Sequence, residues 1–145
     1  MTGAKEEALR FLTQARVARL ATADRGAMPH VVPVVFAVAG HRVFIPIDHK
    51  PKRDPDPNAL RRVRNLRENP RAALLADRYD EDWKQLAWVR VDGPVALVQQ
   101  GPLYREGVSL LTQKYPQYHE TPLRDEGSGL LIVLHIDTLR SWRAA

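Results

Sequence analysis

Hydrophobic positions in this chain recur with two periods. Near the N-terminus Ala8, Leu9, Leu12 and Ala15 fall at helical spacings, which predicts a helix over Thr2 to Gln14 with Thr2 as its cap. Arg16 to Thr22 alternates short and apolar residues and reads as a strand, closed by the turn Ala23-Asp24-Arg25-Gly26. Two β-branched runs follow, His30 to Val38 and Val43 to Ile47. Ala39-Gly40-His41-Arg42 separates them, which is the pattern of a β-hairpin. Pro33 and Pro46 lie inside these runs. Each lacks an amide donor, so each marks a bulge, an edge or a strand end.

Prolines at 51, 55 and 57 exclude a helix from Lys50 to Pro57. Asn58 then stands where it would cap a helix with Leu60, Val63 and Leu66 on one face and arginines on the other, stopped by Asn69-Pro70. Arg71 to Asp77 is a short apolar strand, and Tyr79 to Lys84 is an acidic loop carrying Trp83. Leu86 to Val91 is a strand that sets Trp88 and Arg90 on one face and Val89 and Val91 on the other. Gly93-Pro94 breaks or bulges it, and Val95 to Gln99 continues it. Pro102 starts a helix running to about Tyr115 with Leu103, Val108 and Leu111 inward. A loop follows to Ser128, then an all-apolar central strand, Leu130 to Ile136, and a tail with Ser141-Trp142-Arg143. No repeat or interdomain linker divides the chain, so residues 1–145 read as one domain. Many short strands with few helices predict a mostly antiparallel barrel with helices over its ends, mainly β or α+β.

Composition narrows the partners. The 145 residues are 44% hydrophobic and 27% charged, as in ordinary soluble globular proteins. No run approaches the roughly 20 apolar residues of a membrane span, and Met1 to Arg10 lacks the apolar centre of a secretory signal. The absence of cysteine excludes disulfides and thiolate metal sites and fits a cytoplasmic location. The net charge of +5 invites a nucleic-acid reading. Yet the cations concentrate between Lys50 and Arg71 without interleaved aromatics, so a small anionic ligand is the better expectation. The five histidines are scattered, and His135 and Asp137 sit too close in a strand to make a metal site, so none is expected. Asp80-Glu81-Asp82 reads as a solvated loop, since adjacent carboxylates there do not face one another. No Gly-x-Gly-x-x-Gly, Walker-type or serine-nucleophile motif occurs, and no residue identifies itself as catalytic.

The densest chemistry lies after the hairpin. Its second strand ends in Asp48, followed by His49, Lys50, Lys52 and Arg53. Such a cluster is ordinarily a solvated basic loop. Its place at a strand end, stiffened by Pro51, also suits a phosphate, which arginine grips in a fork and lysine as a point charge. Pro33, Ile45 and Ile47 are core residues by type. In a strand only alternate side chains can touch a ligand, although backbone groups beside the prolines could serve the polar edge of a ring. Trp83, Trp88 and Arg90 fit either interface packing or ligand contact, and Trp142 fits packing.

Several segments together resemble a known family: Arg16-Val-Ala-Arg-Leu-Ala-Thr22, Pro29-His-Val-Val-Pro33, Asp48-His-Lys-Pro-Lys-Arg53, Asn65-Leu-Arg-Glu-Asn-Pro-Arg-Ala-Ala-Leu-Leu75, and Tyr79-Asp-Glu-Asp-Trp83 with Trp88-Val-Arg90. Their order resembles the split β-barrel flavin-binding family, the pyridoxamine-phosphate-oxidase-like superfamily, which includes enzymes using the deazaflavin coenzyme F-420. The resemblance implies a homodimer of barrels of six or so strands with flanking helices and two cofactors at the dimer interface. It implies that the Lys50 to Arg53 loop, with Lys50, Lys52 and Arg53, grips the cofactor phosphate with His49 in reach of it, and that Asp48 faces the ring with the strand it ends. Pro33, Ile45 and Ile47 would line the ring, and Trp88 and Arg90 would close the site.

The expected function is hydride transfer from coenzyme F-420 to an unsaturated small-molecule substrate, with FMN as the alternative cofactor. Positioning of the two reactants is then the protein's main contribution, with a proton from His49, a tyrosine or water. A non-catalytic cofactor or tetrapyrrole binder is the rival class.

Overall fold

The computed structural model of the chain describes residues 2–47 and 56–145. Asp48, His49, Lys50, Lys52 and Arg53 lie outside the described residues, as does the Thr2 side chain proposed as a cap.

Helix α1 (Thr2–Gln14) buries Ala8 and Leu12, as the spacing predicts. Strands β1 (Ala18–Ala23) and β2 (Pro29–Val34) form an antiparallel hairpin. Asp24 closes its turn by accepting the Gly26 and Met28 amides at 2.9 Å each. The apolar run expected to continue from His30 to Val38 is divided. It gives β2 and a separate short strand β3 (Ala37–Ala39), which turns at Gly40 (φ 59°) into β4 (Arg42–Pro46). Thus β2 pairs with β1, and only β3 makes the expected hairpin with β4. Pro33 can occupy β2 because β2 is an edge strand, and Pro46 is the last residue of β4.

Asn58 is not a helix cap. It lies in a short 3₁₀ turn, Pro57–Ala59, and helix α2 (Arg61–Glu68) has Leu60 at its cap position, with no side-chain cap bond among the described residues. The Asn58 carboxamide instead accepts from the Arg67 guanidinium. Helix α2 is fixed to β1 through buried Asn65, whose amide donates to the Thr22 hydroxyl at 3.0 Å.

Strands β5 (Arg71–Arg78) and β6 (Ala87–Val98) form a long hairpin. Helix α3 (Pro102–Lys114) follows, then the short α4 (Gln117–Glu120) inside the expected loop, then β7 (Leu131–His135). The tail is a strand as well, β8 (Thr138–Arg143), paired with the first half of β6. The strand order is β2-β1-β5-β6-β7-β4-β3, with β8 beside β6.

Gly93 does not end β6. The strand runs through it and changes partner there: β8 lies against Ala87 to Asp92, and β7 against Val95 to Val98. The chain between β7 and β8 crosses over this point, where the Asp137 amide donates to the Asp92 carbonyl at 2.9 Å. A Cβ on residue 93 would stand 1.9 Å from the His135 carbonyl oxygen, so the crossing needs glycine. Among the described residues, eight antiparallel strands with flanking helices therefore make a split barrel of the α+β class, as expected, with β6 shared by both halves.

The barrel interior is filled by Leu12, Leu20, Phe36, Ile45, Val63, Leu74, Val91 and Ile132. A second cluster joins α3 to the outside of β4 and β7 through Phe44, Tyr104, Leu111 and Leu131. Gly107 lets α3 approach so closely that a Cβ would meet Leu131 and Phe44 side-chain atoms at 2.5 and 2.6 Å. Among the described residues no helix is long and apolar enough to cross a membrane.

Candidate functional site

Alternation along the five-stranded half sends one set of side chains into the core and the other to its outer face. Leu20, Val34, Leu74, Val89 and Val91 point inward and are buried. The outward set aligns across the sheet in register. Pro33 lies opposite Arg19, Arg19 opposite Leu75, Leu75 opposite Arg90, and Arg90 opposite Arg140. A neighbouring row places Asp77 beside Trp88 and Trp88 beside Trp142.

This outer face mixes apolar surface with cations. Val17, Val31 and Trp142 are exposed, and Val17, Arg19, Val31, Val32 and Pro33 line a depression of about 370 Å³. Arg19 approaches Asp77 at 3.8 Å. Arg90 lies over the Trp88 ring, 5.1 Å from its centroid, a contact that orients a guanidinium without neutralising it. An apolar strip flanked by arginines suits a flat, partly anionic ring system, so the residues present fit a flavin-type cofactor.

The site residues expected from the sequence are only partly brought together. Pro33, Trp88 and Arg90 share this face, with Pro33 and Arg90 three strand steps apart, on the order of 14 Å. Ile45 and Ile47 are buried in the barrel core. The Ile47 amide donates to the Leu130 carbonyl at 3.2 Å, so its backbone is also committed. Arg19, Leu75, Arg140 and Trp142 join the face without having been singled out as ligand contacts. Arg140 could have been found from the alternation in Thr138 to Arg143, but that run is too polar to announce a strand.

One end of the β1–β2 hairpin is tied to the end of α3. The Tyr115 hydroxyl accepts from the Phe36 amide at 3.2 Å and lies 3.0 Å from the Arg16 and Phe36 carbonyls. Arg16 stacks on the Tyr115 ring and donates to the Lys114 carbonyl at 2.8 Å. Lys114 Nζ is buried and, among the described residues, without a hydrogen-bond partner, 4.0 Å from the Phe36 ring centroid. Burial, with the Arg16 charge second, pulls the Lys114 pKa down to about 8. Burial likewise raises the Tyr115 phenol.

Folded Lys114 therefore holds its proton less tightly than in the unfolded chain, where the ordinary value is 10.5. Stability is expected to rise with pH between about 8 and 10.5, because the unfolded state binds more protons there. Urea titrations across that range should show the rise, and Lys114→Met should flatten it. At neutral pH the same substitution is expected to add only about 1 kcal/mol, since Lys114 is only partly buried and solvent still screens its charge.

A family model described as pyridoxamine 5'-phosphate oxidase matches residues 4–143. A search of curated proteins finds no match. Among solved structures, an FAD-binding protein from Mesorhizobium loti superposes with a TM-score of 0.72, covering 97% of this chain and 94% of its own, at 18% identity. The haem storage protein from Vibrio cholerae gives 0.72 over 96% and 93%, at 17% identity. An F-420 reductase gives 0.61 over 90% and 94%, at 20% identity. At these identities the superpositions establish the split-barrel fold alone.

Proposed function

We propose, from the premise that this chain belongs to the pyridoxamine 5'-phosphate oxidase family, that it is an oxidoreductase binding a deazaflavin, coenzyme F-420. It acts as a homodimer in the cytoplasm on an unsaturated small-molecule substrate. The observation that carries this reading is the outer face, where an apolar strip at Val31, Pro33 and Leu75 adjoins Arg19, Arg90 and Arg140. The F-420 reductase among the structural neighbours supports the choice of coenzyme.

When bound, the coenzyme supplies a hydride to the acceptor. The chain's own residues bind and orient. Pro33 and its neighbours offer the flat apolar floor, and Arg90, held over Trp88, meets negative charge on the ring or tail. The Lys50, Lys52 and Arg53 cluster holds the phosphate, with Asp48 and His49 beside it. Exclusion of water and near-attack placement of the acceptor then supply the rate.

Titrating the purified protein with F-420 and with FMN, while following tryptophan fluorescence, tests the reading. Trp88 and Trp142 lie opposite each other on this face, so occupancy should quench emission. F-420 is expected to bind at least about tenfold more tightly than FMN, a difference of about 1.4 kcal/mol. Tight FMN binding with none for F-420 reverses the choice. The FAD-binding and haem storage neighbours favour that second reading, in which the same face holds FMN or a tetrapyrrole, the latter without turnover.

A further inference from the structure

Arg16 and Lys114 meet at the end of α3, and the proposed coenzyme site uses neither. The Arg16 guanidinium donates to the Lys114 carbonyl at 2.8 Å and lies over the Tyr115 ring, 4.7 Å from its centroid. Lys114 Nζ lies over the rings of Phe36 and Tyr115, 4.0 and 5.4 Å from their centroids. Two cations therefore share one aromatic niche. Among the described residues neither forms an ion pair, and buried Nζ has no hydrogen-bond partner.

An ammonium in that position has lost water and gained no acceptor. The ring faces attract a cation but accept no ordinary hydrogen bond, so they return only part of the loss. Arg16 adds the repulsion of a like charge. The amine is neutral more often as a result. At about pH 8 roughly half of Lys114 is uncharged, about 150-fold more than for a lysine at the ordinary 10.5. A neutral, desolvated amine beside a second cation is an activated nucleophile.

The niche lacks an anion, and the shape of the site limits what could supply one. Nζ is buried, so an electrophile that reaches it must be small. The walls are aromatic, so it must be apolar on entry. The product must carry negative charge next to Arg16. Carbon dioxide meets all three conditions. We propose that Lys114 takes up carbon dioxide as a carbamate whose carboxylate pairs with Arg16. The Nζ lone pair attacks carbon, and a C–N bond forms as one C=O π bond opens onto oxygen. Nitrogen then releases one proton to solvent, and no oxidant or reductant takes part. The residue as a whole is only partly buried and Arg16 is exposed, so the lysine tip can turn toward the guanidinium. The step converts two neighbouring cations into a charge-assisted pair that arginine can hold in a fork. It also tightens a junction. The Tyr115 hydroxyl is bonded to backbone at both Arg16 and Phe36, so this corner joins the entry to β1, the entry to β3 and the end of α3.

Carbon-13-labelled bicarbonate, in equilibrium with carbon dioxide at about pH 8, tests the proposal on the full chain without coenzyme. The parent is expected to show a carbamate carbon resonance that Lys114→Arg lacks. Trapping with an alkylating oxonium salt, which caps a carbamate as its ester, is followed by peptide mass spectrometry. It should mark Lys114 at least about tenfold more than the exposed Lys5 and Lys84, a margin below the 150-fold because a less basic amine attacks more slowly. Arg16→Gln is expected to lower the trapped adduct about tenfold, while Arg16→Lys, which keeps the charge, retains most of it. Carbon dioxide should also raise the unfolding midpoint of the parent and leave that of Lys114→Arg unchanged. Thermal melts in its absence confirm that each variant is folded. Equal marking of Lys5, Lys84 and Lys114 overturns the proposal, as does an adduct undiminished in Arg16→Gln. A bicarbonate-dependent rise in midpoint with no trapped adduct also overturns it, since that is the signature of a bound anion and no covalent bond.

Discussion

Replacing Lys50 and Lys52 together with glutamate is expected to weaken coenzyme binding by at least about 100-fold. Each lysine is proposed to make a charge-assisted contact with the coenzyme phosphate. Such contacts are worth about 1.5–3 kcal/mol apiece, and reversal adds repulsion where attraction stood. Two of them therefore account for about 3 kcal/mol or more, which is a factor of about 100. The same double variant should lose most of the salt dependence of binding. Arg61→Gln and Arg64→Gln, exposed on α2, are expected to cost only a few-fold, as contacts to an outlying anionic tail. Equilibrium titration by tryptophan fluorescence measures all of these. Unchanged affinity in the double reversal would show that the phosphate is held elsewhere.

Gly93→Ala is expected to destabilise the fold by about 3 kcal/mol or more, lowering the midpoint of thermal unfolding by about 10 °C. The cause is local and severe: the added methyl would stand 1.9 Å from the His135 carbonyl oxygen and 3.0 Å from the Asp137 amide. Both obstacles are backbone. Relief requires lifting the β7–β8 crossing away from β6, which breaks the Asp137-to-Asp92 bond and loosens β8. Because β8 carries Arg140 and Trp142, residual folded protein should also bind coenzyme less well. Gly3→Ala, where a Cβ meets nothing, is the control and should stay within about 0.5 kcal/mol. Urea denaturation monitored by circular dichroism gives both values, and equal stability in the two variants would refute the proposed crossing constraint.

Periodicity carried much of the fold. Ala8 and Leu12 on α1, Val63 and Leu66 on α2, and the outward Trp88 and Arg90 on β6 all stand where their spacing puts them, because burial of one face decides each element. The errors fall where local pattern and pairing diverge. His30 to Val38 is continuous in composition, but the chain must leave β2 to reach β3 in the other half of the barrel. The Tyr115 hydroxyl, bonded at Phe36, holds that bend from 79 positions away in sequence. Asn58 is a fitting cap residue that binds Arg67 instead.

The candidate site divides along the same line. Repeated alternation and turn chemistry, local properties that the chain carries everywhere, were enough to indicate a mostly antiparallel barrel, and the resemblance of its segments to a known family made that a split barrel. Which outward residues become neighbours was decided by strand register, which joins Pro33, Arg19, Leu75, Arg90 and Arg140 from five strands into one row. Register depends on pairing partners distant in sequence, and so does the need for glycine at position 93. Local hydrophobic pattern thus determined the elements, and long-range pairing determined the surface they build.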